Sequence, residues 1–196
     1  MLAAAAVLVS ACATVPEPAP VADPQRVWQD RQARLSRLAH WMAAGRIAIR
    51  AEDDGATLSL HWEQLGDAYQ IRLNAPLGGG AVEIAGDPDR VVLRSSEGEG
   101  PWTASSPEAL LRQRLGWSVP LEGLRYWILG AAEPGVSVEN LVLDADGRPE
   151  RLSQLGWEVH YANYRPFGAY ELPTRVFLNN ARVSARIVVH RWNVQA

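Results

Sequence analysis

The chain has one cysteine, no lysine, only two phenylalanines and no apolar run long enough to cross a bilayer. The lone Cys12 excludes a disulfide framework, so stability has to come from an apolar core. Arginine supplies every basic residue, the net charge is -3, and no basic block or basic helix face occurs. Nucleic acid is therefore excluded as a partner. The spacings that carry catalysis are missing too. His40, His61, His160 and His190 stand in unrelated contexts, without a His-x-x-x-His or Cys-x-x-Cys pair, and no metal is expected. No Gly-x-Ser-x-Gly elbow is present, and Ser105 and Ser106 read as helix caps. Gly78-Gly79-Gly80 lacks the Lys and Ser or Thr that complete a phosphate-binding loop. Asp53-Asp54-Gly55 and the stretch Asp144 to Gly147 are turns that do not continue into calcium loops. The expectation is a protein that is not an enzyme, with no catalytic residue.

What is present begins at Cys12. It closes an apolar stretch over 2–9 in the order Val9-Ser10-Ala11-Cys12. That order looks like a bacterial lipoprotein signal peptide, whose cysteine becomes the lipidated first residue. The stretch has the length of a signal-peptide core, well short of the roughly 20 residues of a membrane-spanning helix. The alternative is an ordinary signal peptide cleaved after Ala13, because Ala11-Cys12-Ala13 also fits the small-x-small pattern. Lipidation is the preferred reading, since an exported domain otherwise free of cysteine has no other evident use for one there. No cofactor is expected beyond the covalent diacylglycerol and acyl chain on Cys12. Residues 1–11 are then the removed signal, and 12–23 form a Pro-rich tether reaching roughly 30 Å at about 3.1 Å per residue. Residues 24–196 form one domain. Ala13, where an Asp would retain the protein at the inner membrane, resembles an outer-membrane sorting pattern.

The folded domain opens with a helix signal: Asp23 as N-cap, Pro24 in the first position and Gly45 as the stop. Trp28, Leu35, Leu38 and Met42 form one stripe, with Arg31, Arg34 and Arg37 largely off it. Period-two strands are expected over 46–50, 56–64, 68–75, 81–86, 91–95 and 101–104. Ser106 and Pro107 begin a second helix that runs to Gly116. A third covers 121–129, with Leu121, Leu124, Trp127 and Ile128 on one face and Gly130 as its end. Strands resume over 139–143, 148–154, 157–164, 173–179 and 182–193. The fold class is mainly β with helices (α+β): about eleven antiparallel strands in a barrel or strongly curled sheet, with helices as plug or lid.

Two features bear on function. Eight tryptophans sit mostly beside strand or helix ends, and they either fill the barrel or face a ligand. Ala75-Pro76-Leu77-Gly78-Gly79-Gly80 joins two strands and places a large aliphatic side chain where turns favour polar residues. Leu77 either folds back on the barrel or, on a membrane-anchored domain, enters the acyl boundary, a burial worth roughly 1.5 to 3 kcal/mol.

The order of these segments carries a resemblance. It runs from the lipobox and leading helix through Gly45-Arg46-Ile47, Leu60-His61-Trp62 and Asn74-Ala75-Pro76-Leu77-Gly78. It continues through Leu124-Arg125-Tyr126-Trp127-Ile128-Leu129-Gly130 and Gln154-Leu155-Gly156-Trp157-Glu158-Val159-His160-Tyr161 to the closing Trp192. Together these segments resemble the outer-membrane lipoprotein receptors of the LolB family. The resemblance implies an unclosed antiparallel barrel with a helical lid over an apolar cavity for lipoprotein acyl chains. It also implies a monomer that receives lipoproteins from a LolA-like periplasmic carrier and inserts them into the inner leaflet of the outer membrane without nucleotide hydrolysis. Leu77, flanked by Pro76 and Gly78, matches the family's membrane-contacting loop. Trp62, Trp127, Trp157 and Trp117 match aromatics of the cavity or its supporting shell.

The alternative is a non-catalytic envelope scaffold that binds a protein partner along an edge strand and has a filled interior. Glu52, Asp53 and Asp54 could dock a basic surface of the carrier, although solvated turns have that composition anyway.

Overall fold

A computed structural model describes residues 23–51, 54–98, 100–116 and 119–195. The signal, Cys12, the tether through residue 22, Glu52, Asp53 and Trp117 lie outside the described residues. Helix α1 (Pro24–Leu35) is followed by strands β1 (His40–Ala51), β2 (Asp54–Leu65), β3 (Ala68–Asn74), β4 (Ala81–Gly86), β5 (Val91–Ser95) and β6 (Trp102–Ala104). Helices α2 (Pro107–Leu115) and α3 (Leu121–Trp127) come next. Strands β7 (Asn140–Leu143), β8 (Pro149–Gln154), β9 (Trp157–Phe167), β10 (Tyr170–Asn179) and β11 (Val183–Gln195) complete the chain.

All eleven strands form one sheet, ordered β6-β5-β4-β3-β2-β1-β11-β10-β9-β8-β7. Every pairing is antiparallel, and β1 joins the two meanders by pairing with both β2 and β11. Strands β6 and β7 remain edges, so the sheet curls into an unclosed barrel. Alternation puts Ile47 and Ile49, Leu60 and Trp62, Ile71 and Leu73, and Val176 and Leu178 on the concave face, all buried. This is the period-two arrangement of a sheet with one face on the core.

The first helix is shorter than its apolar stripe suggests. Asp23 accepts from the backbone N–H groups of Gln25 and Arg26, both at 3.1 Å, and Pro24 takes the first turn as expected. The helix nevertheless ends at Leu35, and residues 40–45 are the start of β1 rather than more helix. Sheet pairing overrides the helical spacing there, because Trp41 and Ala43 are buried in strand alternation between β2 and β11. Gly45 is thus a strand residue and not a helix stop. The register shifts beside it, so that Ala44 pairs with Arg191 while Gly45 pairs with Val189, leaving His190 as the extra residue of a β-bulge. A Cβ on Gly45 would lie 2.0 Å from the backbone oxygen of Val188. The bulge changes the phase of β11, so that Val189 and Trp192 are both buried.

Helix α2 follows the sequence expectation: Ser106 accepts from the N–H of Ala109, and Gly116 closes the helix in the left-handed region at φ 78°. Helix α3 keeps Leu121, Leu124 and Trp127 buried but ends at Trp127. Strands β9 and β10 extend past their expected limits, β9 running through Pro166 to Phe167 and β10 starting at Tyr170. Arg31, expected off the apolar stripe, is buried. Its guanidinium donates to the backbone oxygen of Glu171 at 2.6 Å and of Leu129 at 3.4 Å, and it lies over the Tyr164 ring. Gln32 donates to the Ala132 oxygen at 2.6 Å and accepts from the Ala132 N–H at 2.8 Å. These bonds pin α1 to the segment after α3. Among the described residues no helix is long and apolar enough to cross a membrane.

Candidate functional site

The concave face and the two later helices enclose an apolar cavity. Ile47, Ile49, Leu60, Trp62, Ile71 and Leu73 line one wall, and Trp157, Leu178, Val183 and Ile187 the other. Leu111 of α2 and Leu121 and Leu124 of α3 close it from above. No lining residue is charged or hydrogen-bonding apart from the tryptophan N–H groups. The unfilled space is about 40 Å³, room for only a few waters. With no polar partner on its walls, such a space is suited to hydrocarbon and not to water.

Five of the tryptophans form two groups. Trp41 sits between Trp62 and Trp192, with ring centroids 5.1 and 5.6 Å apart. Trp127 and Trp157 lie 6.3 Å apart on the other side. Trp62 and Trp157 line the cavity, whereas Trp127, fully buried, supports it from behind. Trp62 and Trp127 are each oriented by a buried amide. The N–H of Trp62 donates to Gln64 Oε1 at 3.0 Å, and Gln64 Nε2 donates to the Gly66 oxygen at 2.9 Å. The N–H of Trp127 donates to Gln154 Oε1 at 2.9 Å.

Gln154 is the more connected of the two. Its Oε1 also accepts from the N–H of Glu133 at 2.9 Å, and its Nε2 donates to the oxygens of Glu133 and Val136, each at 3.0 Å. One side chain of β8 thereby holds the end of α3 and the segment after it against the wall. Arg125 adds a 2.9 Å ion pair to Asp67 in the β2–β3 turn. Sequence reasoning missed both glutamines. The available signal was their parity: Gln64 continues the inward series of Leu60 and Trp62, and Gln154 that of Leu152. A glutamine on a buried face has to be hydrogen-bonded. Beneath α3, burial first, then the charges of Glu122 and Glu108, hold the Glu133 carboxyl above the usual carboxylate range.

The β3–β4 connection leaves the cavity wall directly after Leu73. Pro76–Gly78 forms a single 3-10 turn, within which Leu77 has φ 57° and ψ 26°. The Leu77 side chain is fully exposed, at 106%. The Ala75 N–H donates to the Gly80 oxygen at 2.9 Å and the Gly79 N–H to the Pro76 oxygen at 3.2 Å, closing the loop beneath the leucine. Gly78 and Gly80, at φ 78° and 101°, supply conformations that few other residues adopt. Leu77 therefore does not fold back on the barrel. His61 and His160 lie on the outer face, each paired with a glutamate two residues away at 2.8 Å.

The family model described as "Outer membrane lipoprotein LolB" matches residues 39–192, which take in the cavity strands, both later helices and the Leu77 loop. The chain belongs to the LolB family. An outer-membrane lipoprotein LolB of Nitrosococcus oceani is 43% identical over 188 residues, covering 96% of this chain and 93% of that protein. Another, of Alkalilimnicola ehrlichii, is 43% identical over 190 residues, covering 97% and 94%. Among solved structures, a LolA superfamily protein of Nitrosomonas europaea superposes with a TM-score of 0.57 at 11% identity, covering 90% of this chain and 95% of that one. That likeness is one of fold, and it extends the unclosed-barrel architecture beyond LolB. As a LolB-family member the chain is a lipoprotein of the outer membrane.

Proposed function

We propose that this LolB-family chain is a receptor that accepts lipoproteins from a LolA-like periplasmic carrier. It holds their acyl chains in the apolar cavity and inserts them into the inner leaflet of the outer membrane. In this reading Cys12 carries the lipid anchor, the protein acts as a monomer, and the chain has no catalytic residue. The cavity is the observation that carries the proposal. Its walls offer hydrocarbon contact and no group that would hold a polar ligand. The space is smaller than an acyl chain, so its wholly apolar lining and the membership of the LolB family, not its size, support the receptor reading over the scaffold.

The free volume is too small for an acyl chain of lipoprotein length, so loading requires α2 and α3 to move away from the sheet. Each methylene is worth about 0.8 kcal/mol when taken out of water. An exposed chain is accordingly prohibitive, and cargo passes from carrier to receptor without crossing bulk solvent. No nucleotide enters the scheme. Direction comes from graded affinity, the receptor binding acyl chains more tightly than the carrier and the membrane more tightly still. Leu77, with Pro76 and Gly78 shaping its turn, touches the bilayer at release.

The test is transfer of a radiolabelled lipoprotein from its purified LolA carrier to this chain carrying Cys12→Ala. Stoichiometric transfer without nucleotide is the expected result; a folded chain that takes up no lipoprotein overturns the proposal. Leu77→Glu in the same assay should leave uptake intact and impair insertion into vesicles. Normal insertion by that variant would remove Leu77 from the mechanism while leaving the receptor reading in place.

A further inference from the structure

The membrane contact proposed above uses one leucine, yet the structure presents a second in the same setting. Leu155 lies in the two-residue turn between β8 and β9 and is 47% exposed. Its φ is 56°, followed by Gly156 at 70°, the left-handed pair of a type I′ hairpin turn, for which Asn-Gly is the favoured sequence. Leucine is poorly suited to that conformation, which favours Gly, Asn or Asp. Gln154 and Trp157 on either side are buried, whereas Leu155 itself is left about half exposed. Leu77 shares the left-handed backbone and is exposed still further, its side chain fully uncovered.

Strand register shows where these two tips sit. Leu77 follows Leu73, the last cavity-lining residue of β3, and Leu155 precedes Trp157, the first cavity-lining residue of β9. On β10 and β11 the lining residues Leu178 and Val183 likewise flank the connecting turn at that end. The cavity therefore lies toward the strand ends that carry Leu77 on one wall and Leu155 on the other. Val138, 39% exposed, stands beside the second tip, where Glu139 Oε1 accepts from the Gly156 N–H at 3.5 Å. Turns at the opposite end carry Asp67, Asp87 and Asp89, Asp144 and Asp146. One exposed leucine, Leu65, is at that opposite end next to Gly66-Asp67, so apolar exposure alone does not mark the cavity end. What marks it is a leucine at the apex of a tight turn in the left-handed region.

We propose that Leu155 is a second bilayer-contacting point, which with Leu77 seats the cavity end of the barrel on the lipid surface from both walls. The inference rests on the receptor reading, and the occupant it commits to is the acyl boundary of a phospholipid bilayer. A single contact would let the domain pivot on its tether; two contacts on opposite walls fix the orientation of the cavity end toward the lipid. Residues 76–79 and the pair Leu155-Gly156 are themselves uncharged, and the nearest acidic groups at this end are Glu97 beside Gly80, Glu139 beside Gly156 and Asp54 in the β1–β2 turn.

With Cys12→Ala, the full chain has no thiol, so a single introduced cysteine reports on one place. Leu155→Cys, Leu77→Cys and, at the opposite end, Ala169→Cys are each labelled with an environment-sensitive fluorophore. Each is then mixed with phosphatidylethanolamine–phosphatidylglycerol vesicles. The expected result is a blue shift and increased intensity at positions 155 and 77 and no change at 169. A response at 77 without one at 155 overturns the second contact and spares the first. No response at either position overturns both. A response at 155 that appears only when carrier is added would make this tip a carrier-docking element and overturn the membrane assignment. Circular dichroism of each variant confirms that the fold persists before the spectra are compared.

Discussion

The indole N–H of Trp127 donates to Gln154 Oε1 at 2.9 Å, which joins the last turn of α3 to the far wall of the sheet. The same amide satisfies the backbone of Glu133 and Val136. One residue thus ties the lid helix, the segment beyond it and the sheet together. Replacing it with leucine keeps the volume but leaves Trp127, Glu133 and Val136 without partners. Gln154→Leu is expected to lower stability by about 3 kcal/mol, the scale of a few orphaned buried groups, measured by urea denaturation. A loss below about 0.5 kcal/mol would show that water replaces the amide and that the latch is unimportant.

Gly45 makes a sharper claim. The nearest atoms to an added Cβ are backbone atoms of Val188 and Val189, which cannot move without parting β1 from β11. Gly45→Ala is expected to destabilise the domain by about 3 kcal/mol, at the upper end for overpacking, or to prevent folding. Native-like melting of this variant would mean that the bulge can migrate.

Glu133 links stability to pH. Its carboxyl is held above the usual range by burial and then by Glu122 and Glu108. A folded-state pKa above the unfolded one means that the folded state binds the proton more tightly. This group therefore favours folding below the unfolded value, and the benefit is lost as pH rises through the raised folded value. Glu133→Gln should raise the melting temperature at about pH 7 and lose that advantage near pH 4, around and below the unperturbed carboxylate range. An equal gain at both pH values would assign the effect to packing and not to charge.

The cavity can be probed from its floor. Ala185 lines it from β11 and is only partly buried. Ala185→Phe places a ring where acyl chains are proposed to lie. Uptake from the carrier should fall several-fold while circular dichroism and carrier binding stay unchanged. Unchanged uptake would place the acyl chains elsewhere.

Much of this architecture was legible in the chain because it depends on local rules. Alternating apolar residues and turn pairs such as Gly66-Asp67 mark ten of the eleven strands near their observed places, and Ser106-Pro107 and Gly116 mark α2 at both ends. The first helix shows the limit. Leu38 and Met42 continue a helical spacing, but Trp41 and Ala43 are worth more when buried in the sheet, a gain visible only once β2 and β11 flank them.

By itself the sequence determined the strand periodicity, the caps, the polar-poor loop around Leu77 and the family to which the chain belongs. Each of these is written in neighbouring residues. Tertiary structure alone decided that Gln64 and Gln154 orient the tryptophans, that Gly45 faces a bulge, that Arg31 is buried, and that Leu77 and Leu155 share one end of the barrel. Those relations join residues up to 140 apart in sequence. They depend on which strands pair and how the sheet curls, a balance of packing and desolvation over the whole domain that no short window of sequence contains.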